Sequence, residues 1–285
     1  IANGALVRSS YTIGFRYLVA IFGCIGVILF LITFFTTRER VTPPKRQDAH
    51  LGRDFKYLFK NRPWVVLTLV GIVSFIMFAI QNISATYYFK YFLGAESKSQ
   101  IFNILGTVAL IIAIPMTKPL VKKFGAKQLY IVCSILSGLF FCLLFFAGRN
   151  FVLINVFNCM GKIAYAPAIS LLWTMLADAA DYGEWKFQRR TTGLCLSAAV
   201  FAQKIGWSIG AALFGAVMSY IGYNADVLTI DQIQHTPLIM NTFHWMFGIV
   251  PGVLYASCAI FLAFYNLDSA TMEQMKNELE ERRQQ

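Results

Sequence analysis

Apolar residues along this chain come in blocks of about 20, divided by short polar connectors, and about 20 residues at 1.5 Å rise is the length that crosses a bilayer core. Seven such blocks are read, at about 17–35, 63–88, 99–117, 128–147, 151–177, 192–221 and 239–265. The pattern predicts an all-α, polytopic membrane protein, because a helix satisfies its own backbone hydrogen bonds where no water is present. Two further helices are expected outside the spans. Residues 51–60 (LGRDFKYLFK) alternate apolar and basic positions at helical spacing, as a surface-lying amphipathic helix does. The tail from Asp268 carries Met272, Met275 and Leu279 at the same spacing, with charges on the other face.

Composition and charge sharpen this picture. Hydrophobic residues make up 57% of the 285 and charged ones only 14%, against roughly 25% in soluble domains. The net charge of +11 does not point to nucleic acid, because the basic residues sit between apolar blocks. Eighteen lysines and arginines fall in one alternate set of connectors and the tail, whereas the other set holds five: Arg8, Arg16, Lys90, Lys98 and Arg149. That asymmetry places the long connector and the C-terminus in the cytoplasm and the beginning of the chain outside. The six cysteines all lie within apolar blocks and form no Cys-x-x-Cys pair, so they read as reduced packing residues rather than metal ligands. No nucleophile–base or metal-ligand spacing is found that would make a membrane enzyme, and the lone His244 reads as a residue satisfied by a backbone carbonyl.

Two charges remain inside the apolar blocks, Lys162 and Lys204, and all fourteen acidic residues lie in connectors or at span ends. A charge within a span costs roughly 2.5–3.5 kcal/mol on insertion scales and marks a path or a pocket. At helical rise Lys204 lies roughly 20 Å, and Lys162 roughly 24 Å, from the polar stretch that joins their spans. Lys162, Tyr165, Ile169 and Trp173 fall on one helical stripe, and Ser197, Phe201, Lys204 and Ser208 on another. Donors beside aromatic rings are the chemistry a sugar requires. The expected substrate-binding residues are therefore Lys204, Lys162, Trp173, Tyr165, Phe201 and Asn82. Gln81 and Asn82 could equally be interhelical glue, and Lys162 could snorkel among packing aromatics. The polar stretch 178–190 is expected to be a short turn whose Asp178, Asp181, Glu184 and Arg190 act as a gate at the cytoplasmic rim, or else are solvated loop charges. Gly206 and Gly210 read as a close-packing pair.

That polar stretch also carries a likeness. Asp178-x-x-Asp181-Tyr182-Gly183-Glu184-Trp185, then Arg190-x-Thr192-Gly193 and Lys204-x-Gly206-(x)3-Gly210, resembles the glycoside–pentoside–hexuronide:cation symporters, the melibiose-permease-like family of the major facilitator superfamily. The resemblance implies seven helices corresponding to spans 6–12 of a twelve-helix fold. Residues 1–16 would be an outer loop, 17–36 the last helix of the N-terminal half, 37–62 the central cytoplasmic loop, 63–267 the six-helix C-terminal half and 268–285 a cytoplasmic tail. It further implies secondary transport of a sugar or glycoside by alternating access in a bacterial inner membrane, coupled to Na+ or H+. The cation would be bound mainly by N-terminal helices not contained here, with no other cofactor; the partners are the sugar, the bilayer and those missing helices. An exchanger or exporter of the same fold, or a non-transporting receptor, are the alternatives. Three departures stand out, the most important being that the family's cation-binding aspartates lie in its first four spans, which this sequence does not contain. Gln188 occupies a place where the family commonly has glycine, and Lys162 is an addition that tilts the expected substrate toward an anionic sugar, hexuronide-like or sulfonated.

Overall fold

The computed structural model describes residues 2–37, 51–189, 192–224, 232–233 and 236–284. Among them there is no strand, and seven helices are long and apolar enough to cross a membrane: Ile13–Thr36, Arg62–Phe92, Ser97–Phe124, Ala126–Phe146, Phe151–Phe187, Thr192–Tyr220 and Pro237–Ala263. The protein is thus an all-α polytopic membrane protein, as the hydropathy pattern predicts. The chain divides into two units, residues 1–47 and 48–285. The first holds one 35-residue helix, α1 (Ala2–Thr36), which includes most of the stretch expected as a loop before residue 17.

The second unit starts with the amphipathic helix α2 (Leu51–Lys60), which buries Leu58 and leaves Phe59 exposed. Asn61 then nucleates α3 (Arg62–Tyr87): its side chain accepts from the Trp64 backbone N–H, and Pro63 sits in the first turn, where its missing N–H costs nothing. The same amide donates to the carbonyl of Ala179 at 2.6 Å, tying the start of α3 to a distant helix. After a short π-helical turn (Tyr88–Phe92) come α4 (Ser97–Ala113), α5 (Thr117–Phe124) and α6 (Ala126–Phe146). Asn150 caps α7 (Phe151–Phe187) by accepting from the N–H groups of Val152 and Leu153, each at 3.1 Å.

α7 runs on through Asp178–Trp185. The expected polar turn is instead the last turns of this helix, whose i+3 and i+4 spacing buries Ala179, Ala180 and Gly183 and leaves Asp178, Asp181 and Glu184 half-buried. The reversal comes at Gln188, whose φ of 53° and ψ of 31° lie in the left-handed region, the conformation that ends many helices and that glycine adopts without a Cβ clash.

α8 (Thr192–Tyr220) packs on α3 through its glycines. A Cβ on Gly206 would lie 2.8 Å from the Ile72 carbonyl oxygen, and one on Gly210 would lie 2.7 Å from that of Ile76. The last span is interrupted at Gly248 into α9 (Pro237–Phe247) and α10 (Ile249–Ala263). His244 is held at the break, its Nε2 2.6 Å from the carbonyl oxygen of Phe145 and its ring 4.3 Å from the Phe145 ring. Gly252 meets Gly138 across α10 and α6, where a Cβ on either would stand 2.6 Å from the other's carbonyl oxygen. Close backbone approach of this kind is what joins helices in lipid, where burial of apolar side chains supplies little. The tail helix α11 (Ser269–Gln284) buries Met275 and Leu279, two of the three residues expected on its inner face.

Candidate functional site

Lys162 lies on α7 with its amine turned into the second unit. Its Nζ donates to Gln81 Oε1 on α3 at 3.3 Å, and it stands 5.2 Å from the ring centroid of Phe78, 5.7 Å from Phe141 and 5.9 Å from Tyr165. Three ring faces around an ammonium replace part of its hydration through their quadrupoles. Among the described residues no carboxylate pairs with it, which agrees with the distribution of acids along the chain.

Lys204 sits differently. It is exposed on α8, with Nζ 4.9 Å from the ring centroid of Trp207 one turn along the helix. The Trp207 indole stacks on Phe78, centroids 6.3 Å apart and planes at 24°, and meets Phe75 edge-on. Lys204, Trp207, Phe78 and Lys162 therefore form one connected series: an outer ammonium, two stacked rings and an inner ammonium. The two lysines belong to one constellation, but the rings stand between them. Sequence spacing could have pointed to Trp207, three residues after Lys204, whereas the involvement of Phe78 depends on how α3 packs against α8.

The other expected ligands take distinct places. Tyr165 is only 3% exposed and packs on the Tyr255 ring at 5.0 Å, so it presents its ring to Lys162 from within the core. Trp173 and Ile169 are partly buried against that core. Phe201 is 66% exposed on the Lys204 helix. Asn82 is half-buried and donates to the Phe78 carbonyl oxygen at 2.7 Å, so one of its polar groups is spent on its own helix. Ser197 and Ser208 likewise donate to the carbonyls of Gly193 and Lys204.

At the Gln188 end of α7, the charges are engaged by neighbours that sequence reading did not assign. Asp178 pairs with Lys276 of the tail helix at 3.7 Å. Trp185 donates its indole N–H to Glu278 at 2.7 Å, and Arg282 reaches the Trp185 carbonyl at 3.4 Å. Arg189 pairs with Asp54 of α2 at 2.9 Å. Asp181 and Glu184 are half-buried on the same turns. Arg190, expected in this group, lies outside the described residues. The hydrogen bonds from Trp185 and then Gln274 hold the Glu278 carboxyl below its ordinary value. The Asp268 carboxylate accepts from the Thr271 N–H at 3.0 Å as the cap of α11, and the Thr271 side chain first and this backbone bond second lower its pKa.

The family model for the MFS/sugar transport proteins matches residues 4–269. The chain is 29% identical over 274 residues to an uncharacterized symporter, YnaJ, of Bacillus subtilis (strain 168), covering 95% of this chain and 58% of that protein. It is 25% identical over 269 residues to the inner membrane symporter YicJ of Escherichia coli (strain K12), covering 94% and 57%. It is also 28% identical over 258 residues to the isoprimeverose transporter of Lactiplantibacillus pentosus, covering 90% and 52%. The chain thus spans somewhat more than half the length of each of these relatives.

Proposed function

This chain belongs to the MFS/sugar transport protein family, and on that premise we propose that it forms the C-terminal portion of a secondary transporter. Such a transporter carries a sugar or glycoside across the membrane by alternating access, coupled to Na+ or H+. The observation that carries this reading is the exposed face of α8, where Lys204 stands over the Trp207 ring beside exposed Phe201. A charge within a membrane span is retained for a path or a ligand. An ammonium beside an indole face offers a sugar both a hydroxyl donor and an apolar platform. The coupling cation is assigned mainly to helices outside this chain.

On this reading Asp178, Asp181 and Glu184, with Lys276 and the tail, form the cytoplasmic gate. Ion pairs at such a rim can make and break between the two access states. On this reading a cytoplasmic C-terminus is supported by the eighteen-to-five bias in basic residues, and a bacterial membrane by the Bacillus and Escherichia sources of the relatives. The names of the relatives, a transporter of isoprimeverose among them, are consistent with a sugar as cargo.

The test is uptake of labelled glycosides by vesicles containing the complete transporter. Uptake driven by an inward Na+ or H+ gradient is expected, and Lys204→Ala is expected to lower it at least about tenfold, the value of one charged hydrogen bond. Equal uptake without any gradient rejects coupling. Undiminished uptake by Lys204→Ala rejects the α8 face as the site.

A further inference from the structure

The Lys162–Gln81 pair has an asymmetry that packing alone does not account for. Gln81 is 1% exposed; its Oε1 accepts from Lys162, while its Nε2 is buried with no hydrogen-bond partner among the described residues. The Lys162 ammonium has three N–H groups and, among the described residues, one acceptor, Gln81 Oε1, with the rings of Phe78, Phe141 and Tyr165 around it. Two adjacent side chains from different helices thus offer unmatched donors at one point, with a net positive charge. An unfilled buried donor forfeits the hydration it had in water, so a pair of them is a standing cost unless an acceptor arrives.

From this we infer that Lys162 and Gln81 form an inner subsite for a negatively charged oxygen group, a carboxylate or a sulfonate, borne by the transported sugar. This rests on the sugar-transport reading and narrows its substrate class to anionic sugars. Such a group can accept from the ammonium and from the amide N–H at once, the multidentate arrangement in which charge-assisted bonds are strongest. Chloride or a neutral hydroxyl satisfies the pair less well, the first having a single centre and the second no charge. The series from Lys204 through Trp207 and Phe78 supplies a route: the outer ammonium attracts the anion, and parting of the stacked rings exposes the inner one.

The experiment compares uptake by the complete transporter of three methyl glycosides that share a ring and differ at C6: the neutral glucoside, the glucuronide and the 6-deoxy-6-sulfonate. The expected result for the natural protein is a preference of at least about tenfold for the anionic members. Gln81→Glu is the decisive variant, because it places a carboxylate on Lys162 permanently. It is expected to raise the apparent unfolding midpoint of the unliganded protein and to collapse the anionic preference toward unity. Lys162→Gln is expected to collapse the preference as well, and Lys162→Arg to retain part of it. A Gln81→Glu protein that is stabilised yet keeps the natural preference overturns the subsite and leaves the pair a packing feature. Equal uptake of all three sugars by the natural protein overturns the anionic assignment alone. Uptake of none of them overturns the sugar-transport reading beneath it.

Discussion

The indole N–H of Trp185, near the end of α7, donates to the Glu278 carboxylate of the tail helix at 2.7 Å. With Asp268 capping the start of that helix, two carboxylates are lowered in pKa by the bonds they accept. A depressed folded-state pKa means stabilisation that is present above the unfolded value and lost as pH falls through the folded one. The tail helix is therefore expected to hold at neutral pH and to loosen as pH drops below the ordinary values of 4.5 for Glu278 and 3.8 for Asp268. Hydrogen exchange across residues 272–282 measures this. Trp185→Phe should raise exchange there at neutral pH and reduce its acid dependence.

Gln188 holds a left-handed backbone conformation that disfavours a side chain by roughly 1 kcal/mol. Gln188→Gly is expected to raise stability by about that amount, provided the gain in flexibility of the unfolded chain does not absorb it. Detergent-solubilised protein followed through thermal unfolding gives the sign. A lower midpoint would mean that the Gln188 side chain contributes more than its backbone strain removes.

Gly252 and Gly206 are close-approach glycines, whereas at Gly215 on α8 no atom of the described residues beyond its own helix backbone lies within 4 Å of the Cβ position. In an open helical position, alanine is better than glycine by up to about 1 kcal/mol. Gly215→Ala should therefore be neutral or stabilising. Gly206→Ala and Gly252→Ala should each destabilise by about 1–3 kcal/mol, since Cβ meets backbone that cannot yield without parting two helices. Unfolding midpoints of the three variants, measured side by side, decide the matter. Equal midpoints would refute the tight α3–α8 and α6–α10 packing.

Asn61 accepts from the Trp64 N–H and donates to the Ala179 carbonyl while only 1% exposed. Asn61→Ala removes both bonds and is expected to cost about 2 kcal/mol. Asn61→Asp preserves the cap acceptor but sets a buried carboxylate against a carbonyl oxygen, so it should be no less damaging than alanine. If the aspartate variant matched the natural protein in unfolding midpoint, the link to Ala179 would be irrelevant to stability.

Arg189 and Asp54 pair at 2.9 Å, each mostly shielded from water. Breaking the pair from either side should release α2 from the end of α7. Faster exchange across Leu51–Lys60 is expected in both Asp54→Asn and Arg189→Met, with little effect on the spans.

Span number, span position and the two helices outside the spans were legible in the residues, because hydropathy over about 20 positions and amphipathic spacing over 10 are local properties. So was the lack of an acidic mate for Lys162, which is a matter of counting. The seven blocks and the helix over 51–60 therefore recur in the structure, most of them near the expected bounds, the third and fifth spans running on to Phe124 and Phe187. Which way each lysine faces was not local. Lys162 turns inward because Gln81, Phe78 and Phe141 arrive from α3 and α6, and Lys204 stays exposed over Trp207 of its own helix. Helical spacing put Tyr165 and Phe201 on stripes with their lysines, yet one is buried on Tyr255 and the other open. The polar stretch at the end of α7 reads as a turn by composition and folds as helix, where α2 brings Asp54 to Arg189 and the tail helix brings Lys276 to Asp178 and Glu278 to the Trp185 indole. Periodicity assigns a residue to a face of its own helix; only the packing of helices distant in sequence decides what that face meets.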